Sequence, residues 1–186
     1  INDSVNKNQL NKEIQEIRLK NNSLINSTSL VKDLTQLKTY TIDDDQSLEI
    51  DDAISLERVS DKYKLWIHIA SPAYHMDYNS AIDKRARKLI STLYLSTTNI
   101  YMLPEILIKD IFSLTKKKQR VSLSLGVLFN DDGSVESSEV VQSLINADYQ
   151  LNYDDADDLI DYAPKEEDDL SIISKILEKR KSWRKK

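Results

Sequence analysis

Cysteine is absent from the 186 residues, and the chain holds only two glycines, three prolines and two histidines. Without thiols there can be no disulfide framework, thiolate metal site or cysteine nucleophile. With so little glycine there is no phosphate-cradling loop and no dinucleotide fingerprint. No Ser-His-Asp order occurs either. No apolar run reaches the length of a membrane span and no secretory signal is visible, so the cytoplasm is the expected compartment. The chain opens at Ile1 rather than Met, which suggests a piece of a longer protein and leaves organellar targeting open. A surplus of one sign is also modest. The 26 basic residues against 31 acidic ones give a net charge of −5, which argues against indiscriminate nucleic-acid binding through a basic surface. A hydrophobic share of 40% is enough for one core, or for a large part of a bigger domain.

What the chain does have is acid in one place. Asp43-Asp44-Asp45-Gln46-Ser47-Leu48-Glu49-Ile50-Asp51-Asp52 packs six carboxylates into ten positions, between Tyr40-Thr41-Ile42 and Ala53-Ile54-Ser55-Leu56. The flanks are apolar and β-prone, so the acids stand where loop becomes core. Like charges this close lose hydration and repel, at a cost of several kcal/mol per ion when partly buried. A hard cation such as Mg²⁺ or Mn²⁺ offsets that cost through carboxylate oxygens, and carboxylate-bound metal suggests phosphate chemistry. Strand alternation from residue 50 puts Ile50, Asp52, Ile54 and Leu56 on one face, with Asp51, Ala53 and Ser55 on the other. Asp52 is therefore expected on the apolar face, with Asp43 and Glu49 able to converge on Asp51 and Asp52. A solvated acidic turn is the plain alternative. An EF-hand loop fits poorly, since its glycine would fall at Leu48 and its bidentate glutamate at Ile54.

Thr41-Ile42-Asp43 followed by Glu49-Ile50-Asp51-Asp52-Ala53-Ile54-Ser55 resembles the catalytic signature of the ribonuclease II (RNB) family of processive 3′-to-5′ exoribonucleases. The resemblance continues in order through Leu65-Trp66-Ile67-His68-Ile69-Ala70-Ser71-Pro72, Tyr94-Leu95, Met102-Leu103-Pro104-Glu105, Ser113-Leu114 with Arg120 and Ser124, and Leu151-Asn152-Tyr153-Asp154. Glu49 stands where the family more often has aspartate, Ser71 replaces an aspartate and Ser96 a proline. The resemblance implies hydrolysis of single-stranded RNA to nucleoside 5′-monophosphates by two Mg²⁺ ions, with Mn²⁺ as a substitute. It makes Asp43 and Asp52 the primary metal ligands, gives Asp51 and Glu49 to the second metal or the water, and has Tyr94 stack on the terminal base. The implied partner is single-stranded RNA, with no membrane and no preference for DNA. It also implies that an arginine contacting the scissile phosphate lies beyond Lys186, so that this piece alone is inactive. A catalytically inactive RNB-like module that binds RNA or a partner is the rival reading, and a Ca²⁺-stabilised structural domain is a second.

Along the chain, residues 1–32 read as a polar connector with a short helix near Glu13 to Lys20, and residues 33–186 as the first part of the RNB catalytic domain. The expected fold is α+β, a mixed sheet with flanking helices. Strands are expected at Leu56 to Val59 and Tyr63 to Ala70 around a turn. Ser80 caps a helix reaching Ile90. Pro104 opens a short helix. The alternation Val121, Leu123, Leu125, Val127, Phe129 precedes a turn at Asp131-Asp132-Gly133 and a strand from Val135. A last helix starts near Glu166. His68, in a Trp-Ile-His-Ile run, reads as a buried histidine with a hydrogen-bond partner, and His75 has no supporting context. Asp154 to Asp161 read as a helix N-terminus. The runs Lys84 to Lys88, Lys116 to Arg120 and Lys179 to Lys186 read as solvated basic faces.

Overall fold

The computed structural model describes residues 7–26, 31–162, 164 and 167–185. Its strands are β1 (Lys32–Asp33), β2 (Thr39–Ile42), β3 (Asp52–Val59), β4 (Lys62–Ala70), β5 (Leu93–Tyr94), β6 (Asn99–Ile100), β7 (Gln119–Phe129), β8 (Val135–Asn146) and β9 (Tyr149–Leu151). Seven of them form one mixed sheet in the order β1-β8-β7-β4-β3-β2-β9, and β5 and β6 form a separate ribbon. The central hairpins β3–β4 and β7–β8 are antiparallel, while the outer strands β1 and β9 join in parallel. The helices are α1 (Lys7–Asn26), α2 (Ala81–Leu89), α3 (Glu105–Leu107), which runs into one wide turn at Ile108–Phe112, α4 (Tyr153–Tyr162) and α5 (Asp169–Trp183). This is the expected α+β arrangement.

One sheet face carries Tyr40, Leu56 and Leu65, and α5 covers it with Leu170 and Ile173. The other face buries Ala53, Trp66, Leu114 and Ile145. The scarce glycines sit where a side chain has no room. A Cβ on Gly126 would lie 2.8 Å from the Trp66 ring, and Gly133 turns the β7–β8 hairpin at φ +87° against the backbone of Lys179. Trp66 is further fixed by its indole N–H, which donates to Glu57 Oε2 at 2.8 Å, and by Lys32 over the ring.

The helix expected near Glu13 to Lys20 is present and longer, spanning Lys7–Asn26, and it packs against the rest of the fold. Its Ile14 and Ile17 are buried with Ile82, Leu107 and Ile111. Glu13 reaches the start of α2, where its two oxygens accept from the N–H groups of Ala81 (2.8 Å) and Ile82 (3.0 Å). Ser80 Oγ accepts from Asp83 N–H, as its capping position predicts. Glu166, expected to open the last helix, lies outside the described residues, and α5 begins at Asp169.

His68 is fully buried, as expected, between two hydroxyls: Ser55 Oγ lies 2.8 Å from Nε2 and Ser124 Oγ 2.7 Å from Nδ1. Ser143 Oγ extends the chain at 2.6 Å from Ser124 Oγ. Arg120 departs from its reading as part of a basic surface. It is buried, and its Nε donates to the Ser113 carbonyl at 2.9 Å. The sequence suggested a surface cation because three lysines precede it. The strand alternation of β7 turns it inward instead.

Candidate active site

The acidic loop joins β2 to β3 and is held both by its own atoms and by residues packed around it. Asp43 N–H donates to the Leu151 carbonyl at 3.0 Å, which extends the β2–β9 pairing one residue past the strand. Asp43 Oδ1 accepts from Asp44 N–H, and Asp44 Oδ1 from Gln46 N–H, at 2.8 and 2.9 Å. Asp45 Oδ1 accepts from Asn152 Nδ2 at 3.3 Å. Asn152 itself caps α4 by accepting from Asp155 N–H at 2.8 Å, so the second acidic run is a helix N-terminus as expected. A cleft of about 260 Å³ lies between Asp43, Asp44, Asp45 and Lys116.

On the far side of the loop, Glu49 is set between two anchors. Leu48 packs against the cluster that holds Ile82 and Phe112, and Ile50 is buried beside Ala53 and Trp66. Ser113 Oγ bridges them, donating to the Leu48 carbonyl at 2.6 Å and accepting from Ile50 N–H at 3.2 Å. Leu114 N–H donates to the Ile50 carbonyl at 2.9 Å. Held this way, Glu49 reaches the β5 segment. Its Oε1 accepts from Thr92 Oγ1 at 2.9 Å and its Oε2 from Tyr94 OH at 2.7 Å.

Asp52 lies on the face expected for it, since it pairs with Ile69 in the same register as Ile54 with Ile67 and Leu56 with Leu65. Asp52 is exposed, because it is the first residue of β3 and lies beyond the cover of α5. The alternation is broken before it: Ile50 packs in the Trp66 cluster, whereas Leu56 packs in the cluster under α5. Asp51 is also exposed as a whole residue, while Asp43 and Glu49 are half-buried. Atoms crowding the Asp51 carboxylate take water from it, and Glu49, Asp52 and Asp43 add like-charge repulsion. Together they push its pKa above the ordinary aspartate value. The four acids therefore share one field. Among the described residues, however, no three Asp, Glu or His side chains converge closely enough to hold one metal ion.

Tyr94 stands at the edge of this field, 67% exposed as a residue, and its hydrogen bond to Glu49 pushes the phenol up to about 12. The ring is open to stacking while its hydroxyl is tethered. Thr92 and the bridging role of Ser113 were not read from the sequence. Ser113 was visible only as part of a matching block, and Thr92 carried no signal at all.

An uncharacterized ribonuclease of Synechocystis sp. is 38% identical over 154 residues, covering 82% of this chain and 23% of the relative. The chloroplastic/mitochondrial ribonuclease II of Arabidopsis thaliana is 35% identical over 154 residues, covering 82% of this chain and 19% of the relative. The chain thus spans about a fifth of the length of these relatives. Among solved structures, RNase R of Mycoplasma genitalium in complex with ribose-methylated single-stranded RNA matches with a TM-score of 0.76 at 23% identity. That match covers 84% of this chain and 25% of the other. The model of the RNB domain matches residues 31–186, and the chain belongs to the RNB domain family.

Proposed function

We propose that the protein containing this chain is a 3′-to-5′ exoribonuclease that hydrolyses single-stranded RNA to nucleoside 5′-monophosphates. The observation that carries this reading is an exposed aromatic ring, Tyr94, hydrogen-bonded to an acidic loop whose members repel one another around Asp51. A ring in this position stacks on any base, which suits an enzyme indifferent to sequence. Family membership and relatives named as ribonucleases support the same activity.

The donor set fits a hard cation in its chemistry. Asp43, Glu49, Asp51 and Asp52 offer only carboxylate oxygens, and a divalent ion would offset both the lost hydration and the repulsion that raise Asp51. Asp43 and Asp52 would be the primary ligands of Mg²⁺, or of Mn²⁺ in its place, with Asp51 and Glu49 serving a second ion. Bound there, such ions would supply Lewis acidity to water and to the scissile phosphate. The chain's own residues do the rest. Tyr94 fixes the terminal base, Asp51 orients the attacking water, and the Ser113 bridge keeps the loop from drifting away from the ring.

The test is product analysis with the intact protein, Mg²⁺ and 5′-labelled single-stranded RNA. Stepwise shortening with release of 5′-monophosphates is the expected result. RNA that is retained but left whole would instead favour the inactive RNA-binding reading.

A further inference from the structure

We propose that Glu49 is a positioning residue that tethers Tyr94 and Thr92 to the acidic loop, fixing the distance between the stacked base and the acids. The proposal rests on the reading of Tyr94 as a base contact. Both Glu49 oxygens are engaged, at 2.9 Å by Thr92 Oγ1 and at 2.7 Å by Tyr94 OH. Thr92 Oγ1 also accepts from Met102 N–H at 3.1 Å, which directs its own proton toward Glu49. The backbone on either side of Glu49 is pinned through Ser113 and Leu114, so the carboxylate has a fixed origin.

The tethered segment has little else to hold it. The β5–β6 ribbon has only two registered pairs, Leu93 with Ile100 and Tyr94 with Asn99, and Leu93, Tyr94 and Leu95 are all exposed. It is entered through Ile90, a β-branched residue at φ +71°. That conformation is strained and persists only where its surroundings enforce it. A glutamate spans from the loop to both hydroxyls, whereas an aspartate from the same Cα would fall one methylene short. The residue type at position 49 is therefore matched to reach as well as charge.

The experiment measures binding of a short single-stranded oligoribonucleotide to the intact protein in EDTA, so that neither metal nor turnover enters. Tyr94→Phe keeps the ring and removes the donor. Glu49→Asp keeps the charge and removes the reach. Each should weaken binding by about fivefold, and the double variant should be no weaker than either single one. Glu49→Gln, which keeps the length and one accepting oxygen, should bind more tightly than Glu49→Asp. Near-wild-type binding by Glu49→Asp would overturn the tether, as would losses in the two single variants that multiply in the double. Failure of the nuclease reading is seen separately, as an absence of shortening by the wild-type protein with Mg²⁺.

Discussion

At the scale of single residues, Asp51 separates folding from chemistry. Its carboxylate is raised by lost water and by Glu49, Asp52 and Asp43, so its charge opposes the metal-free fold and would serve only the ion-loaded site proposed above. Asp51→Asn in the intact protein should abolish RNA cleavage while binding survives. Gel analysis of oligonucleotide decay checks this, and near-normal shortening would remove Asp51 from the mechanism. His68 makes a different prediction. Burial lowers its pKa to about 4, below the roughly 6.5 of an unfolded histidine. Between these values the unfolded chain binds the extra proton, so stability rises with pH through that window and is complete above it. The shift corresponds to about 3 kcal/mol. His75 is lowered to about 4 as well, first by burial and then by the Arg120 charge. Acid titration of urea midpoints should therefore show a pH slope that His68→Gln reduces, and an unchanged slope would exonerate His68. The sequence made Asp43, Asp51 and Asp52 legible because charge so densely spaced is costly wherever it sits. It could not show Thr92 or Ser113 as partners of the loop. A hydroxyl that bonds across 43 or 65 residues leaves no local pattern.

At the scale of elements, long strands and capped helices could be read and short pairings could not. The β3–β4 and β7–β8 hairpins announced themselves by alternation and turn residues, and α2 by Ser80. Strands β1 and β9 have two and three residues, too few to carry a period. Helix α1 was hard to see because a few apolar residues, Leu10, Ile14 and Ile17, anchor it within a polar stretch, and its main polar contact lies 68 residues away. That contact is testable. With Ser80 serving Asp83, Glu13 satisfies the other two free N–H groups of the first turn of α2 and places a negative charge at its positive end. Glu13→Ala should cost about 1–2 kcal/mol and lower the melting temperature by about 3–6 °C. A scan showing no change would mean that α1 docks by its apolar residues alone.

At the scale of the whole molecule, the sheet face under α5 is only partly covered. Ile69, Leu123 and Val140 are 46%, 47% and 63% exposed beyond the end of that cover, and they neighbour one another across β4, β7 and β8. The 186-residue chain taken by itself should therefore self-associate with rising concentration, as sedimentation velocity would reveal. It should also show little or no exonuclease activity. The chain spans about a fifth of its relatives, and any one group that stabilises charge in a transition state is worth about a hundredfold or more in rate. Robust trimming by the purified chain would refute this. The parallel outer strands have a consequence for synthesis. Thr39 N–H bonds to Asp148 Oδ2 across 109 residues, and Tyr40 pairs with Tyr149, so β2 has no outer neighbour until β9 has left the ribosome. At about 5–20 residues per second, the base of the acidic loop waits on the order of 5–20 seconds with an open strand edge. The nascent chain is thus exposed to mispairing for that interval, and the carboxylates flanking the open edge act as its gatekeepers.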